Sequence, residues 1–117
     1  MIKGIGIDIV EIDRIKDIML KQARFSDRIL TVNEKRSFDD LNDNRKAEFL
    51  AGRFAAKEAF SKAAGTGIGQ ELSFLDIEID ADPLGRPFIC KPYSRGVHLS
   101  ISHSKQYAVA QVVIEEK

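Results

Sequence analysis

An alanine-rich run from Arg45 to Ala64 constrains the fold more than any other feature of the chain, because it predicts one long helix. Turn-forming residues at 42–44 precede it, and Gly65 is placed to end it in a left-handed conformation. A helix of this length must bury its apolar side against another element. Strand patterns fill much of the remaining chain, so its expected partner is a sheet.

Alternating apolar residues predict the strands. Ile5, Ile7 and Ile9 alternate with small or polar residues in a strand at 2–12, and apolar residues on both faces around Asp8 indicate an internal strand. Further strands are predicted at 75–80, 88–90, 97–103 and 107–114. Shorter helices are predicted at 13–23 with Asp13 as its cap, at 28–30, and to about residue 41 after a cap at Thr31 or Asn33. These elements indicate an α+β fold in which a mainly antiparallel sheet packs against one long and several shorter helices.

The strand predicted from residue 75 has two contrasting faces. One face is expected to carry the apolar residues Leu75, Ile77 and Ile79. The other is expected to carry the acidic residues Asp76, Glu78 and Asp80. The next segment, 82–87, predicts a turn, because proline restricts φ and Gly85 permits a positive φ.

Length and composition exclude several classes of protein. The 117 residues are the length of one domain, and we expect residues 1–117 to form it. Equal numbers of basic and acidic residues, 18 of each, argue against general nucleic-acid binding. The sequence has no secretory pattern and no apolar run of membrane length. Cys90 is the single cysteine, so it is expected to be a small apolar core residue, and a reducing cytoplasm is the expected location.

Charge is unevenly distributed along the chain. Seven basic residues and three acidic ones lie between Arg14 and Arg36, whereas five acidic residues and no basic one lie between Glu71 and Asp82. Such asymmetry is typical of a surface that binds a charged partner, but two solvated faces of opposite sign produce the same pattern.

The long helix and the first strand each hold one carboxylate among apolar residues. Glu58 follows Leu50 and Phe54 in a row of residues four apart, and Lys62 continues the row. Because an unpaired buried carboxylate is costly, Glu58 is expected either to pair with Lys62 at the surface or to bind a cation.

Asp8 occupies an unusual position for aspartate, the interior of a strand. It is either a core residue or a partner of Glu58 where the helix packs on the strand. In the first case, its carboxylate would accept hydrogen bonds from backbone N–H groups or from an arginine. Two such carboxylates suit a hard cation such as Mg²⁺, which commonly binds one or two carboxylates together with water and phosphate oxygens.

A glycine-rich loop at 65–69 follows the helix that contains Lys62. Glycine lets backbone N–H groups approach an anion closely, and Lys62 supplies a point charge. The lysine precedes the glycines, so the segment is not a Walker P-loop. Gly65 alone is also explained as a helix stop. Two acids, a lysine and this loop together indicate a site for a metal-bound phosphate ester.

The serine-rich segment 100–104 places His103 on the strand face that also holds Leu99 and Ile101. The histidine is either a site residue or a residue at the strand end whose ring hydrogen bonds are satisfied locally. A Ser/His/Asp triad is disfavoured, because the sequence has no G-x-S-x-G elbow.

The chain resembles the holo-acyl carrier protein synthase family of 4'-phosphopantetheinyl transferases in three blocks. These blocks are G-I-G-I-D-I-V-E-I at 4–12, F-A-A-K-E-A-F-S-K-A-A-G-T-G at 54–67 and S-I-S-H-S at 100–104. They occur in the family's order and span nearly the whole chain. The resemblance implies that a serine of acyl carrier protein attacks the β-phosphate of coenzyme A, with release of adenosine 3',5'-bisphosphate, and it implies a role in fatty acid biosynthesis.

The resemblance also implies roles for particular residues. Asp8 and Glu58 correspond to Mg²⁺ ligands, and Lys62 to a pyrophosphate contact; these three are the expected catalytic residues. The coenzyme A loop corresponds to Gly65, Thr66 and Gly67. The positions near the 3'-phosphate correspond to Arg53 and His103. The turn beside the adenine corresponds to Gly85, Arg86 and Pro87. Glu58, directly or through water, is the expected general base for the serine hydroxyl.

The family's protein partner gives the basic segment a meaning. Acyl carrier proteins are acidic, so the resemblance implies a docking surface formed by Arg14, Lys21, Arg24 and Arg28. Family members form homotrimers with sites between subunits, which implies the same for this chain.

Two other functions fit parts of the pattern. A Mg²⁺-dependent nucleotide diphosphate hydrolase would turn over coenzyme A without a protein acceptor. A non-enzymatic module that binds an acidic protein would bind its partner without Glu58 or a metal.

Overall fold

The computed structural model describes residues 1–116 of the chain. Its α-helices are α1 Ile12–Lys21, α2 Phe25–Ile29, α3 Val32–Asp39 and α4 Asp43–Ala64. Its strands are β1 Ile2–Glu11, β2 Glu78–Ala81, β3 Pro87–Lys91, β4 Val97–His103 and β5 Tyr107–Glu115. A 3₁₀ turn, Phe74–Asp76, precedes β2. The predicted α+β class is confirmed, with the strands arranged in two antiparallel sheets of order β1-β5-β4 and β2-β3.

Helix α4 begins and ends where the local sequence signals lie. Asn42 is its N-cap, and the Asn42 side chain accepts a hydrogen bond from the Arg45 N–H at 3.0 Å. Gly65 ends the helix in the left-handed region, with φ of 89°. Both the long helix and its glycine cap are therefore confirmed.

Two glycines set the distance between α4 and the larger sheet. A Cβ added to Gly6 would lie 1.8 Å from the Ala59 carbonyl oxygen, and one added to Gly4 would lie 1.8 Å from that of Ala63. No side chain fits at either position, so helix and strand backbones are in direct contact. The core lies on both sides of α4, which packs on the sheet with one side and on α1–α3 with the other.

The prediction that β1 is internal is wrong, because β1 is an edge strand of the three-stranded sheet. One of its faces is covered by α4. The other face leaves Ile5, Ile7 and Ile9 between 57% and 62% exposed. In this chain, apolar residues on both faces of β1 do not mean that both faces are buried.

Three local predictions also need correction. Helix α1 begins at Ile12, so Asp13 lies in its first turn, and the N-cap is Glu11. Leu75 is in the 3₁₀ turn and is 51% exposed. Glu78 is buried, and hydrogen bonds that its carboxylate accepts from the Thr31 hydroxyl and the Asn33 amide offset the cost of its burial. The capping prediction at Thr31 is confirmed by a capping box.

Among residues 1–116, no helix is both long enough and apolar enough to cross a membrane.

Candidate active site

Asp8 faces α4. Gly4 and Gly6 lie on the same face of β1 as Asp8, because residues two apart in a strand share a face, and both glycines contact that helix. The Asp8 carboxylate Oδ1 accepts a hydrogen bond from Lys62 Nζ at 3.1 Å, and the same ammonium donates to the Ile7 carbonyl oxygen at 3.0 Å. The side chain of Asp8 is 18% exposed and that of Lys62 is 49% exposed. The first strand and the end of the long helix therefore meet through a carboxylate and a partly exposed cation.

Glu58 lies one turn before Lys62 and is half-buried. Burial raises the pKa of Glu58, and the negative charge of Asp8 raises it further, while Lys62 partly opposes both effects. Within the described part of the chain, Lys62 pairs with Asp8 and no ion pair joins it to Glu58. The two carboxylates are thus close enough to repel each other, and the surface Glu58–Lys62 pair does not form.

This arrangement fits a hard divalent cation. Two carboxylates that destabilise each other's charge are stabilised when a cation lies between them. Residues 1–116 contain no cluster of three or more His, Cys, Asp or Glu residues suited to a metal. A cation at Asp8 and Glu58 would therefore take its other ligands from water or phosphate oxygens, as Mg²⁺ commonly does.

The glycine-rich loop follows this site, but its backbone donors are already used. The N–H groups of Gly65, Thr66 and Gly67 all donate to the Ser61 carbonyl oxygen, at 3.0 to 3.2 Å. The N–H of Gly69 donates to the Leu72 carbonyl oxygen at 2.9 Å. In this conformation the loop has no free N–H cradle at these positions, so a ligand would contact other atoms of the loop.

A second cluster of predicted residues lines a cavity of about 340 Å³ at the start of α4. Its walls include Arg45, Phe49, Arg53, Gly85 and His103. Arg53 lies over the Phe49 ring, with its guanidinium carbon 4.2 Å from the ring centroid. Burial lowers the pKa of Arg53, an effect that Glu34 and Asp80 partly oppose. The structure therefore brings Arg53 and His103, predicted near the 3'-phosphate, into one cavity with Gly85, predicted in the turn beside the adenine.

The polar groups of this cavity suit an anion. Within the described residues, the buried Nε of Arg53 has no hydrogen-bond partner. The His103 ring Nδ1 lies 3.1 Å from Glu48 Oε2, and this ion pair requires a protonated ring. An anion in the cavity would supply the missing acceptor for Arg53.

The rest of the predicted turn lies at the hairpin between β2 and β3. Gly85 has φ of 86°, in the left-handed region that glycine adopts readily. Arg86 is largely exposed and its Nε donates to Asp82 Oδ2 at 3.1 Å, and Pro87 begins β3. Gly85 thus lines the cavity, whereas Arg86 pairs with the turn itself.

The predicted docking residues Arg14, Lys21, Arg24 and Arg28 are all exposed, on α1, on α2 and at the N-cap of α2.

Cys90 is partly buried, and burial raises the pKa of its thiol to about 11, so the neutral form dominates.

Sequence reasoning missed Lys57, the most deeply buried charged residue among residues 1–116. The Lys57 side chain is fully buried and lies 2.6 Å from Glu34 Oε1. Lys57 follows Ala55 and Ala56 on the long helix, but small neighbours do not indicate that a lysine is buried, so the sequence carries no clear signal for it.

Comparisons with known proteins show the family of the chain. A family model described as the 4'-phosphopantetheinyl transferase superfamily matches residues 4–112. The chain is 62% identical over 117 residues to a holo-[acyl-carrier-protein] synthase of Bacillus velezensis, covering 98% of this chain and 97% of that relative. It is 60% identical over 116 residues to that of Geobacillus kaustophilus, covering 98% and 90%.

Solved structures extend the comparison. A holo-(acyl-carrier-protein) synthase from Bacillus anthracis in complex with CoA (3',5'-ADP) matches with a TM-score of 0.89 and 56% identity, covering 100% of this chain and 99% of that one. A synthase from Helicobacter pylori in complex with coenzyme A matches with a TM-score of 0.81 and 40% identity, covering 95% and 99%.

Proposed function

Because the chain belongs to the 4'-phosphopantetheinyl transferase superfamily, we propose that it transfers phosphopantetheine from coenzyme A to a serine of apo acyl carrier protein. The observation that supports this most directly is the meeting of Asp8, Glu58 and Lys62 at the contact between β1 and α4. We further propose that residues 1–117 act as one transferase domain, in the cytoplasm and in fatty acid biosynthesis.

The proposed reaction is a phosphoryl transfer. The serine oxygen forms a bond to the β-phosphorus of coenzyme A, and the bond from that phosphorus to the bridging oxygen breaks. Adenosine 3',5'-bisphosphate leaves with the electron pair, and the serine proton goes to a base. Such a reaction needs alignment and charge neutralisation more than a protein nucleophile.

Glu58 is the proposed base. It lies in the site that would hold the pyrophosphate, and its carboxylate could accept the serine proton directly or through a water molecule. Lys62 is the proposed pyrophosphate contact. Its ammonium is half-exposed, so it can donate to a phosphate oxygen while the Ile7 carbonyl oxygen and Asp8 still hold it in place.

Mg²⁺ is the proposed cofactor, with Asp8 and Glu58 as its protein ligands. Bound there, it would neutralise charge on the pyrophosphate and on the leaving group. The effect of the Asp8 charge on Glu58 supports this assignment, because a carboxylate destabilised by a neighbouring negative charge gains from a bound cation.

The cavity at the start of α4 is the proposed site for the 3'-phosphate and adenine. Arg53 supplies a positive group and His103 a ring nitrogen, Gly85 lets the hairpin backbone approach, and Arg86 and Pro87 complete the turn. Gly65, Thr66 and Gly67 are the proposed loop contact for coenzyme A, through atoms other than their occupied N–H groups.

A homotrimer with shared sites is the proposed assembly. Asp8 lies on the edge strand β1 and His103 on the opposite edge strand β4, with α4 packed over the sheet between them. Shared sites would bring Asp8 of one copy and His103 of another to the same coenzyme A molecule at a contact between copies. The exposed row Ile5, Ile7 and Ile9 supplies an apolar surface for such a contact.

The mass of apo acyl carrier protein, measured after incubation with the chain, coenzyme A and Mg²⁺, tests the proposal. A gain of one phosphopantetheine group is expected, and EDTA or Glu58→Ala should prevent it. Asp39→Ala, at an exposed acid on α3, is the matched control and should leave the transfer unchanged.

Consumption of coenzyme A and binding of the carrier protein, measured in the same incubations, distinguish the other two functions. Turnover of coenzyme A with an unmodified carrier protein would indicate a hydrolase. Carrier binding that survives both EDTA and Glu58→Ala, with no mass gain for any variant, would indicate a binding module.

A further inference from the structure

Lys57 is the centre of a buried hydrogen-bond cluster that the proposed chemistry does not use. Its ammonium donates to Glu34 Oε1 at 2.6 Å, to the Ile29 carbonyl oxygen at 2.6 Å and to the Phe74 carbonyl oxygen at 3.0 Å. A lysine has three N–H donors, and each has an acceptor here. The side chain is 0% exposed, so these contacts are made without solvent.

Glu34 extends the cluster to two further elements. Its Oε1 accepts from the Thr31 N–H at 2.9 Å, which closes the N-terminus of α3. Its Oε2 accepts from the Ile79 N–H at 2.8 Å, which ties it to β2. The Lys57–Glu34 pair therefore connects α2, α3, α4, the 3₁₀ turn and β2 through main-chain atoms.

The position of this cluster relates it to the proposed site. Lys57 precedes Glu58 on α4, and Ile29 follows the basic residue Arg28 and ends α2. Phe74 begins the 3₁₀ turn, and its ring stacks on Phe54 with centroids 5.2 Å apart. One ammonium thus links the end of α2, which carries Arg28, to α4, which holds the Glu58 carboxylate.

We propose that Lys57 is a positioning residue that holds α2, and with it the docking residues Arg24 and Arg28, at a set distance from Glu58. This inference rests on the proposed function, because it concerns how the carrier protein is presented to that site. Stability alone is a weak explanation of the pair, since a buried ion pair often contributes little more than apolar residues of similar size. Main-chain acceptors on α2 and on the 3₁₀ turn are contacts that an apolar side chain cannot make.

The consequence is a separation of kinetic constants. Loss of the link would let α2 shift relative to α4, so a docked carrier protein would place its serine less accurately. The coenzyme A cavity near Arg53 and His103 does not include α2. We therefore expect KM for the carrier protein to rise about tenfold, equal to about 1.4 kcal/mol, while KM for coenzyme A changes less than about twofold.

The test uses Lys57→Met/Glu34→Gln, which removes the buried charges together and keeps an amide oxygen near the Thr31 and Ile79 N–H groups. Lys57→Arg is a second variant, because its planar guanidinium cannot direct one nitrogen at the same three oxygens. The matched control is Lys46→Met, a lysine on the same helix whose ammonium lies over the Phe38 ring, 5.4 Å from its centroid. Fold and Tm are checked by circular dichroism, and kinetics are measured well below each Tm.

A merely structural role gives a different result, because partial unfolding lowers the amount of active enzyme and leaves both KM values unchanged. A lower maximal rate with unchanged KM values, unchanged kinetics in both variants, or failure of both variants to fold would each overturn the proposal. The selective rise in KM for the carrier protein, absent in Lys46→Met, would support it. If the wild-type chain modifies no carrier protein, the proposed function itself is wrong, and that outcome is visible before any variant is compared.

Discussion

Glu58 shows how a single residue obtains its chemistry from its neighbours. In the sequence it is a glutamate one turn from a lysine, a pattern common on solvated helices. In the structure that lysine pairs with Asp8, and burial together with the Asp8 charge raises the pKa of Glu58. The carboxylate is therefore available to a cation or a proton, which a carboxylate already paired with Lys62 would not be.

Replacement of Glu58 by glutamine tests this electrostatic environment in the metal-free protein. A raised pKa means that folding disfavours the ionised form, so Glu58→Gln should raise Tm in EDTA at neutral pH. The gain should be less than about 1 kcal/mol, because a half-exposed charge is screened by solvent. As pH falls through the raised pKa, the wild-type carboxyl becomes protonated and the difference should disappear.

Thermal unfolding of both proteins in EDTA, at neutral and at mildly acidic pH, measures the effect. Glu71→Gln, at an exposed loop position, controls for the loss of one negative charge. A lower Tm for Glu58→Gln at neutral pH, or a gain that does not depend on pH, would contradict the prediction.

At the scale of elements, the site depends on how closely β1 approaches α4. Gly4 and Gly6 leave no space between the strand and the helix backbone, so Asp8, farther along the same face, meets the last turns of α4. The sequence showed both glycines, but local patterns do not show that each faces a carbonyl oxygen of a helix more than fifty residues away in the chain.

Gly6→Ala should separate the two elements, because its Cβ would meet the Ala59 carbonyl oxygen, and backbone cannot rotate away as a side chain can. We expect a loss of about 2–3 kcal/mol in the free energy of unfolding, measured by urea denaturation, and reduced transfer activity.

Gly52→Ala is the matched control for that substitution. Its Cβ would lie 3.4 Å from the Ile101 side chain, and alanine favours a helix over glycine by about 1 kcal/mol, so stability should be unchanged or slightly higher. Equal stability of Gly6→Ala and wild type would show that the close approach is not needed.

At the scale of the whole molecule, two surfaces have no explanation within one chain. One is the apolar outer face of β1, and the other is the basic surface of α1 and α2. A subunit contact and an acidic carrier protein are the partners proposed for them, and each leads to a separate prediction.

Ile7→Glu should disrupt the proposed trimer, because it places a charge in the middle of the exposed apolar row. Light scattering coupled to size-exclusion chromatography should give three times the chain mass for wild type and one chain mass for the variant, with activity lost. Leu20→Glu, at an 86% exposed residue of α1, should keep the wild-type mass. A wild-type monomer with full activity would refute the shared-site assembly.

Arg14→Glu should raise KM for the carrier protein and leave KM for coenzyme A nearly unchanged, because surface charges mainly set the rate of encounter with an oppositely charged partner. The rise should be largest at low salt, where screening is weakest. Steady-state kinetics at two ionic strengths measure it, with Arg95→Glu, at an exposed residue before β4, as control. Equal changes in both KM values would argue against this docking surface.

The sequence by itself determined the α+β class, the long helix with its glycine cap, and the two acids and the lysine of the candidate site. Those features follow from spacing and residue type along a short stretch of chain, and from motif resemblance. The tertiary structure decided that Lys62 pairs with Asp8, that Glu78 is buried, that β1 is an edge strand, and that Ser61 occupies the loop N–H groups. Lys57 also acquired its partners only on folding. Most of these outcomes depend on which polar groups from distant segments come within hydrogen-bond distance. The hydrogen bonds of the loop N–H groups to Ser61 are local, but they depend on a backbone conformation that a periodic pattern along the chain does not specify.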